Sequence, residues 1–161
     1  MEHTIRMAGV DDADTVARLL FDFNTEFETP TPTPAEFAER LRSLLAGDRI
    51  VAFLAEDQGK GESRAPRALG FALLSLRPTP YFDGPLVQLE ELYVVPDLRD
   101  RGLGSDLLDA TVDYSLSRGS REIHIGVDEI DTDTRRFYER HGFVNVQPGQ
   151  DYRMLLYLRE L

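Results

Sequence analysis

The chain has no cysteine. That excludes a disulfide framework, a thiol nucleophile and a cysteine–zinc site. Imidazole comes only from His3, His124 and His141, which do not form a ligand-spaced cluster. Each reads as a surface or structural residue, with His141 as a cap at the C-terminal end of a helix. Long apolar runs are missing as well. None approaches the ~18 residues that would read as a membrane span, and the opening residues, with Glu2 and Arg6 around a short strand, lack a secretory signal. The expectation is a soluble, cytoplasmic protein. Basic residues are in deficit, with 18 Lys and Arg against 29 Asp and Glu, a net charge of −11. Nucleic acid as the main partner calls for a basic footprint, so that class is disfavoured. An acidic cleft would concentrate a cationic small substrate, although the same charge also serves plain solubility.

What is present suits one folded unit. At 161 residues the chain can bury roughly 70% of its extended surface, and no internal repeat or linker divides it, so residues 1–161 are expected to form a single domain. Residues 4–8 read as a first strand. Residues 11–27 read as a helix with Val16, Leu19, Leu20 and Phe23 on one face. Thr33-Pro34-Ala35-Glu36 is a capping box with proline at the first helical position, opening a helix that ends at Gly47. Strands follow over residues 49–55, 68–76 and 86–95. A polar stretch, residues 56–67, reads as a mobile hairpin loop, and a proline-rich loop spans residues 77–85. Residues 104–118 have a helical period and stop at Gly119. A strand over 122–127 should lie parallel to that over 86–95, joined by this helix as a right-handed crossover. A helix over 133–141 and strands over 143–146 and 152–158 close the sheet. The fold class is α/β.

The most informative stretch is residues 92–108, a strand followed by Arg99-Asp100-Arg101-Gly102-Leu103-Gly104-Ser105 and a helix. A glycine-rich approach to a helix start offers backbone N–H groups and the positive end of a macrodipole, which together suit phosphate. The dinucleotide fingerprint needs a third glycine, and the nucleotide P-loop needs Gly-Lys-Ser/Thr. Neither is present. What remains, Arg99-x-x-Gly102-x-Gly104 after a strand, resembles the pyrophosphate motif of the Gcn5-related N-acetyltransferases (GNAT). About thirty residues on, residues 131–143 resemble that family's Asn-x-x-Ala-x-x-Phe-Tyr-x-x-x-Gly-Phe. Phe137, Tyr138, Gly142 and Phe143 are kept, while Asp131 replaces the asparagine and Thr134 the alanine.

The resemblance implies a central, mostly antiparallel mixed sheet with a splayed parallel strand pair, flanked by helices. It implies acetyl-CoA as co-substrate. The pantetheine arm would pair with the main chain of Leu92, Tyr93 and Val94, which also receives the thioester carbonyl. The pyrophosphate would meet Arg99, Asp100, Arg101, Gly102, Leu103, Gly104 and Ser105, and Asp131 and Thr134 lie where further cofactor contacts are expected. Arg135 or Arg136 could add a phosphate contact.

Acetylating an amine requires the ammonium, with a pKa of about 10 for a lysine-like group, to lose a proton. Glu90 matches an acidic position of polyamine-acetylating and similar members, so it is the expected base. Neighbouring strand residues point to opposite faces, so Glu91 can join it only if a bulge intervenes. Tyr138, at the place of the family's catalytic tyrosine, is the expected acid for the departing thiolate. Acceptor contacts are expected from Asn24, Glu26 and Glu91 and from Tyr81, with Glu28, Phe82 and Asp83 nearby in sequence. The acceptor would be a small amine and the assembly a homodimer. Protein acetylation, or a non-catalytic acyl-CoA-binding module, are the alternatives.

Overall fold

The computed structural model describes residues 2–57 and 66–161. The expected loop over 56–67 therefore lies mostly outside the described residues. The chain falls into two compact units, one through His124 and one from Ile125.

In the first unit, five strands form one sheet in sequence order: β1 (His3–Met7), β2 (Ile50–Asp57), β3 (Arg67–Arg77), β4 (Leu86–Val94) and β5 (Ile123–His124). The first four pair antiparallel and β5 runs parallel to β4. Three helices cover it: α1 (Ala13–Glu26), α2 (Pro34–Leu45) and α3 (Leu103–Ser117). Cross-strand partners share a face, so the register assigns the side chains. Ala52, Leu54, Phe71 and Tyr93 pack with Val16, Ala17, Leu19 and Leu20 of α1 and Ala38 and Leu41 of α2. The opposite face, with Phe53, Gly70 and Val94, receives α3. Tyr114 stacks edge-on to Phe53 with ring centroids 5.8 Å apart, and an added Cβ at Gly70 would lie 3.4 Å from Leu107.

Local chemistry explains the ends of these elements. Thr33 Oγ1 accepts the Glu36 N–H at 3.3 Å, and the Glu36 carboxylate takes the Thr33 N–H at 2.8 Å, so two orphan amides at the start of α2 are satisfied. Beyond α3 the chain turns at Gly119, where φ is +77°. Gly84 fits against that turn because a Cβ there would lie 2.1 Å from Gly119 backbone. Arg6 joins β1 to its surroundings with a double bond pair to Asp12 (2.8 and 2.7 Å) and another to Glu56 (2.8 Å each). His3 Nε2 meets Asp106 Oδ2 at 2.6 Å, linking β1 to α3.

The second unit contains α4 (Thr132–Arg140). Asp131 caps it through the Thr134 N–H at 3.2 Å, and the His141 ring donates from Nδ1 to the Phe137 carbonyl at 2.7 Å, the C-terminal capping role expected of it. The strands expected over 143–146 and 152–158 do not form. A backbone hydrogen bond, Met154 N–H to Asn145 O at 2.6 Å, links the two segments. Leu155, Leu156, Tyr157 and Leu158 stand 65%, 80%, 88% and 80% exposed. Apolar composition favours a strand only where a partner ladder and a buried face accept it. β5 is likewise shorter than the six residues expected. Among the described residues, no helix is long and apolar enough to cross a membrane.

Candidate active site

β4 departs from simple alternation. Its partners on β3 run Leu73↔Glu91 and then Leu74↔Leu89, which leaves Glu90 as an extra residue. This bulge changes the expected placement of the two acids. Glu91 shares a face with Leu73, on the α1 side of the sheet. Glu90 reaches the same face, where its carboxylate accepts the Ser75 hydroxyl. Two carboxylates thus stand side by side instead of back to back. Glu90 is exposed and Glu91 half-buried. Burial, with the neighbouring Glu90 charge as the smaller cause, pushes the Glu91 carboxyl from 4.5 up to about 7. Ser75 was not evident from the sequence, because only the observed register brings it to Glu90.

Past the bulge, β4 loses its parallel neighbour. The β4–β5 register covers only Val87↔Ile123 and Gln88↔His124. From Leu89 to Val94 that edge of β4 pairs with no strand of the sheet among the described residues; the antiparallel ladder turns the Tyr93 amide and carbonyl toward β3 and those of Leu92 and Val94 toward this edge. Tyr93 is itself 5% exposed. Its ring packs on Phe23 and Phe71, with centroids at 5.3 and 6.2 Å. Burial is the first cause that raises its phenol above the usual value, followed by the charges of Glu26 and Asp22.

After β4 a short 3-10 turn, Pro96–Leu98, leads to the glycine turn. Asp100 and Gly102 both take positive φ, +60° and +88°. Gly102 is the N-cap of α3, and nothing lies within 4 Å of where a Cβ would stand, so its glycine is required by backbone conformation, not by a close neighbour. The first helical bond of α3 runs from Asp106 N–H to Gly102 O at 2.9 Å. The amides of Leu103, Gly104 and Ser105 precede that ladder, as the geometry of a helix start dictates. Leu103 places its side chain in the core at 2% exposure, so only its backbone can serve a ligand. Arg101 is exposed beside the turn. These groups suit a pyrophosphate: a helix N-terminus, a left-handed glycine turn leading into it, and arginine.

Arg99 has an additional attachment. Its guanidinium forms a fork with Glu26 at the end of α1, Nη1–Oε1 2.6 Å and Nη2–Oε2 2.7 Å. Nε donates to the Val94 carbonyl at 3.0 Å, and the group lies 5.7 Å from the Tyr93 ring centre. The hydrogen bonds to Glu26 hold its proton above the ordinary arginine range. The sequence offered no sign that these two expected site residues touch each other.

The other expected acceptor residues are less engaged. Asn24 bonds back to the Leu20 carbonyl at 2.8 Å, and Tyr81 is 88% exposed in its loop. In the second unit, Tyr138 is 6% exposed, with Phe137 and Phe143 edge-on at 5.2 and 5.4 Å. Asp131 and Thr134 are bonded to each other as the α4 cap. Arg135 donates to the Glu129 carbonyl at 2.9 Å, and Arg136 lies 3.6 Å from Asp133.

Known proteins resemble this chain in sequence and fold. The model of the acetyltransferase (GNAT) family matches residues 14–143. The chain belongs to that family. As a GNAT protein it is an acetyltransferase with acetyl-CoA as co-substrate. A crystal structure from Arthrobacter sp. FB24, of a protein assigned to the acetyltransferases, is 47% identical with a TM-score of 0.87, covering 100% of this chain and 97% of that one. An aminoglycoside N(6')-acetyltransferase type 1 of Salmonella typhimurium is 28% identical over 126 residues, 76% of this chain and 81% of the relative. The structure of AAC(6')-Iy in complex with a bisubstrate analogue of CoA and acetylneamine shares the fold, at 21% identity, a TM-score of 0.75 and 100% coverage of both chains. Against these GNAT structures the observed mixed sheet, with parallel β4 and β5 and flanking helices, is the expected fold class.

Proposed function

We propose that this protein is a cytoplasmic, single-domain enzyme that transfers acetyl from acetyl-CoA to a primary amine of a small cationic acceptor. The amine attacks directly within a ternary complex. The observation that carries this reading is the bulge at Glu90, which gathers Glu90 and Glu91 on one face just before the turn that opens α3. An acidic pair there attracts an ammonium ion and offers it a proton acceptor. The net charge of −11 and the named aminoglycoside-acetylating relative support a cationic acceptor.

The donor's pyrophosphate is assigned to the turn from Arg99 to Ser105, with Arg101 and the first-turn amides of α3 as its partners. Pantetheine is assigned to the open edge of β4 across Leu92, Tyr93 and Val94, where the main chain of Leu92 and Val94 would also stabilise the oxyanion. Asp131 and Thr134 contribute to α4 first as its cap, and their assignment to the cofactor rests on the second motif. Asn24, Glu26 and Tyr81 are assigned to the acceptor side.

Chemistry then proceeds in three steps. A carboxylate of the pair takes the ammonium proton, directly or through water. The amine nitrogen bonds to the thioester carbon and the carbonyl becomes an oxyanion. The tetrahedral centre collapses, the C–S bond breaks, the nitrogen gives up its second proton to water, and the thiolate takes a proton. Tyr138 supplies that proton by its place in the second motif. Resemblance favours Glu90 as the base. The elevated pKa of Glu91 favours Glu91, because a base titrating near 7 is matched to neutral pH. Glu90→Gln and Glu91→Gln separate the two: loss of the limb of the kcat/KM profile near pH 7 in one variant alone names the base.

A homodimer accompanies this reading by resemblance, and the exposed apolar run Leu155 to Leu158 is surface such an assembly would cover. Sedimentation velocity tests it. The function is tested by thiol release from acetyl-CoA over polyamines, aminoglycosides, amino acids and peptides. Turnover confined to peptides would make it a protein acetyltransferase. CoA binding without any turnover would make it a sensor.

A further inference from the structure

Glu26 holds the arginine that the pyrophosphate is expected to use. The fork between them is bidentate, 2.6 and 2.7 Å, and joins residues 73 positions apart. One edge of a guanidinium can meet a carboxylate or a phosphate in this way, not both at once. Glu26 also has a reason to need a cation. It is the last residue of α1, where the macrodipole is negative and a carboxylate is disfavoured. Asp22 stands one turn earlier at the i,i+4 spacing of like charges, and both acids act electrostatically on the Tyr93 phenol. Removing Arg99 from this corner leaves two carboxylates near one aromatic ring, an environment suited to an ammonium ion.

We infer that Glu26 and the donor's pyrophosphate compete for Arg99, and that this exchange couples the two substrate sites. Without donor, Glu26 occupies the guanidinium fork. When pyrophosphate takes the fork, the released Glu26 carboxylate, with Asp22, becomes a ligand for the acceptor's ammonium. Acceptor affinity therefore rises once the donor is bound, and by linkage the acceptor tightens the donor by the same factor. This inference rests on assigning the pyrophosphate to the Arg99–Ser105 turn.

Calorimetric titration tests it with CoA, with pantetheine, which lacks the pyrophosphate, and with CoA in the presence of spermidine. The proteins are wild type, Glu26→Gln, Arg99→Gln and the double variant. Glu26→Gln should tighten CoA about three- to tenfold, the scale of one good ion pair, and leave pantetheine within about twofold. In the Arg99→Gln background the same change should move CoA by less than about twofold, because no guanidinium remains to compete for. Spermidine should tighten CoA in wild type and not in Glu26→Gln. Equal tightening in both backgrounds would mean that Glu26 merely repels the phosphates, and would overturn the exchange. No spermidine effect in wild type would overturn the coupling. If Arg99→Gln bound CoA as tightly as wild type, the pyrophosphate assignment itself would fall, and the inference with it. Glu26 is exposed at a helix end, so its variant should keep the wild-type circular dichroism and melting temperature.

Discussion

One extra residue in β4 decides which side chains can cooperate. With strict alternation, Glu90 and Glu91 would face opposite sides of the sheet. The bulge brings both to the α1 face. A sign of it was present in the sequence: Val87, Leu89, Leu92 and Val94 face α3, and the step from Leu89 to Leu92 is three residues where an unbroken strand steps by two. The motif residues were legible because their chemistry is local. Gly102 could be read as a turn glycine without knowing its neighbours. The Arg99–Glu26 fork was not legible, since nothing local to either residue points to the other.

The half-buried Glu91 gives a prediction at this scale. The Glu91 carboxyl titrates near 7 in the folded protein against 4.5 in the open chain. Between those values the folded state keeps a proton that the unfolded state loses. Stability therefore falls as pH rises through this window, then levels off above it. Glu91→Gln should remove that fall and raise stability at pH 8 by about 1–2 kcal/mol, a figure reduced for the group's partial exposure. Denaturant titrations at pH 4.5 and pH 8 check it. An identical pH dependence in both proteins would contradict it.

At the scale of elements, helices and antiparallel strands were read to within one or two residues, because caps and periodicity mark them. The Thr33–Glu36 box sits where its sequence put it. Thr33→Ala should cost about 1 kcal/mol of stability and leave activity intact. Elements that depend on distant partners were less legible. β5 keeps two residues, and the segments after Phe143 form no strand, since their apolar residues find no ladder in the described chain. Gly70 shows how closely β3 and β4 approach: a Cβ there would stand 2.4 Å from the Tyr93 carbonyl oxygen. Gly70→Ala should destabilise the protein by about 1–3 kcal/mol. Because it displaces the main chain at Tyr93 and Val94, it should also lower kcat/KM measured well below the melting temperature. Gly102→Ala meets no steric neighbour but must hold a left-handed conformation, a cost of about 1 kcal/mol. It should weaken CoA more than pantetheine.

For the whole molecule, the charge of −11 is the dominant long-range property. It should draw cationic acceptors, and salt should screen that attraction. The acceptor KM should rise with ionic strength for a polycationic amine and stay nearly level for a singly charged one. Composition made this legible at once, while the position of the acids within the site needed the fold. The central claim is acetyl transfer to a cationic amine with a carboxylate as base and Tyr138 as acid. Its most direct test is thiol release from acetyl-CoA over the amine panel, with Tyr138→Phe and the Glu90→Gln, Glu91→Gln double variant alongside. The account predicts turnover on cationic small amines, reduced at least about a hundredfold in both variants. Wild-type rates in both variants, or no turnover on any amine, would contradict it.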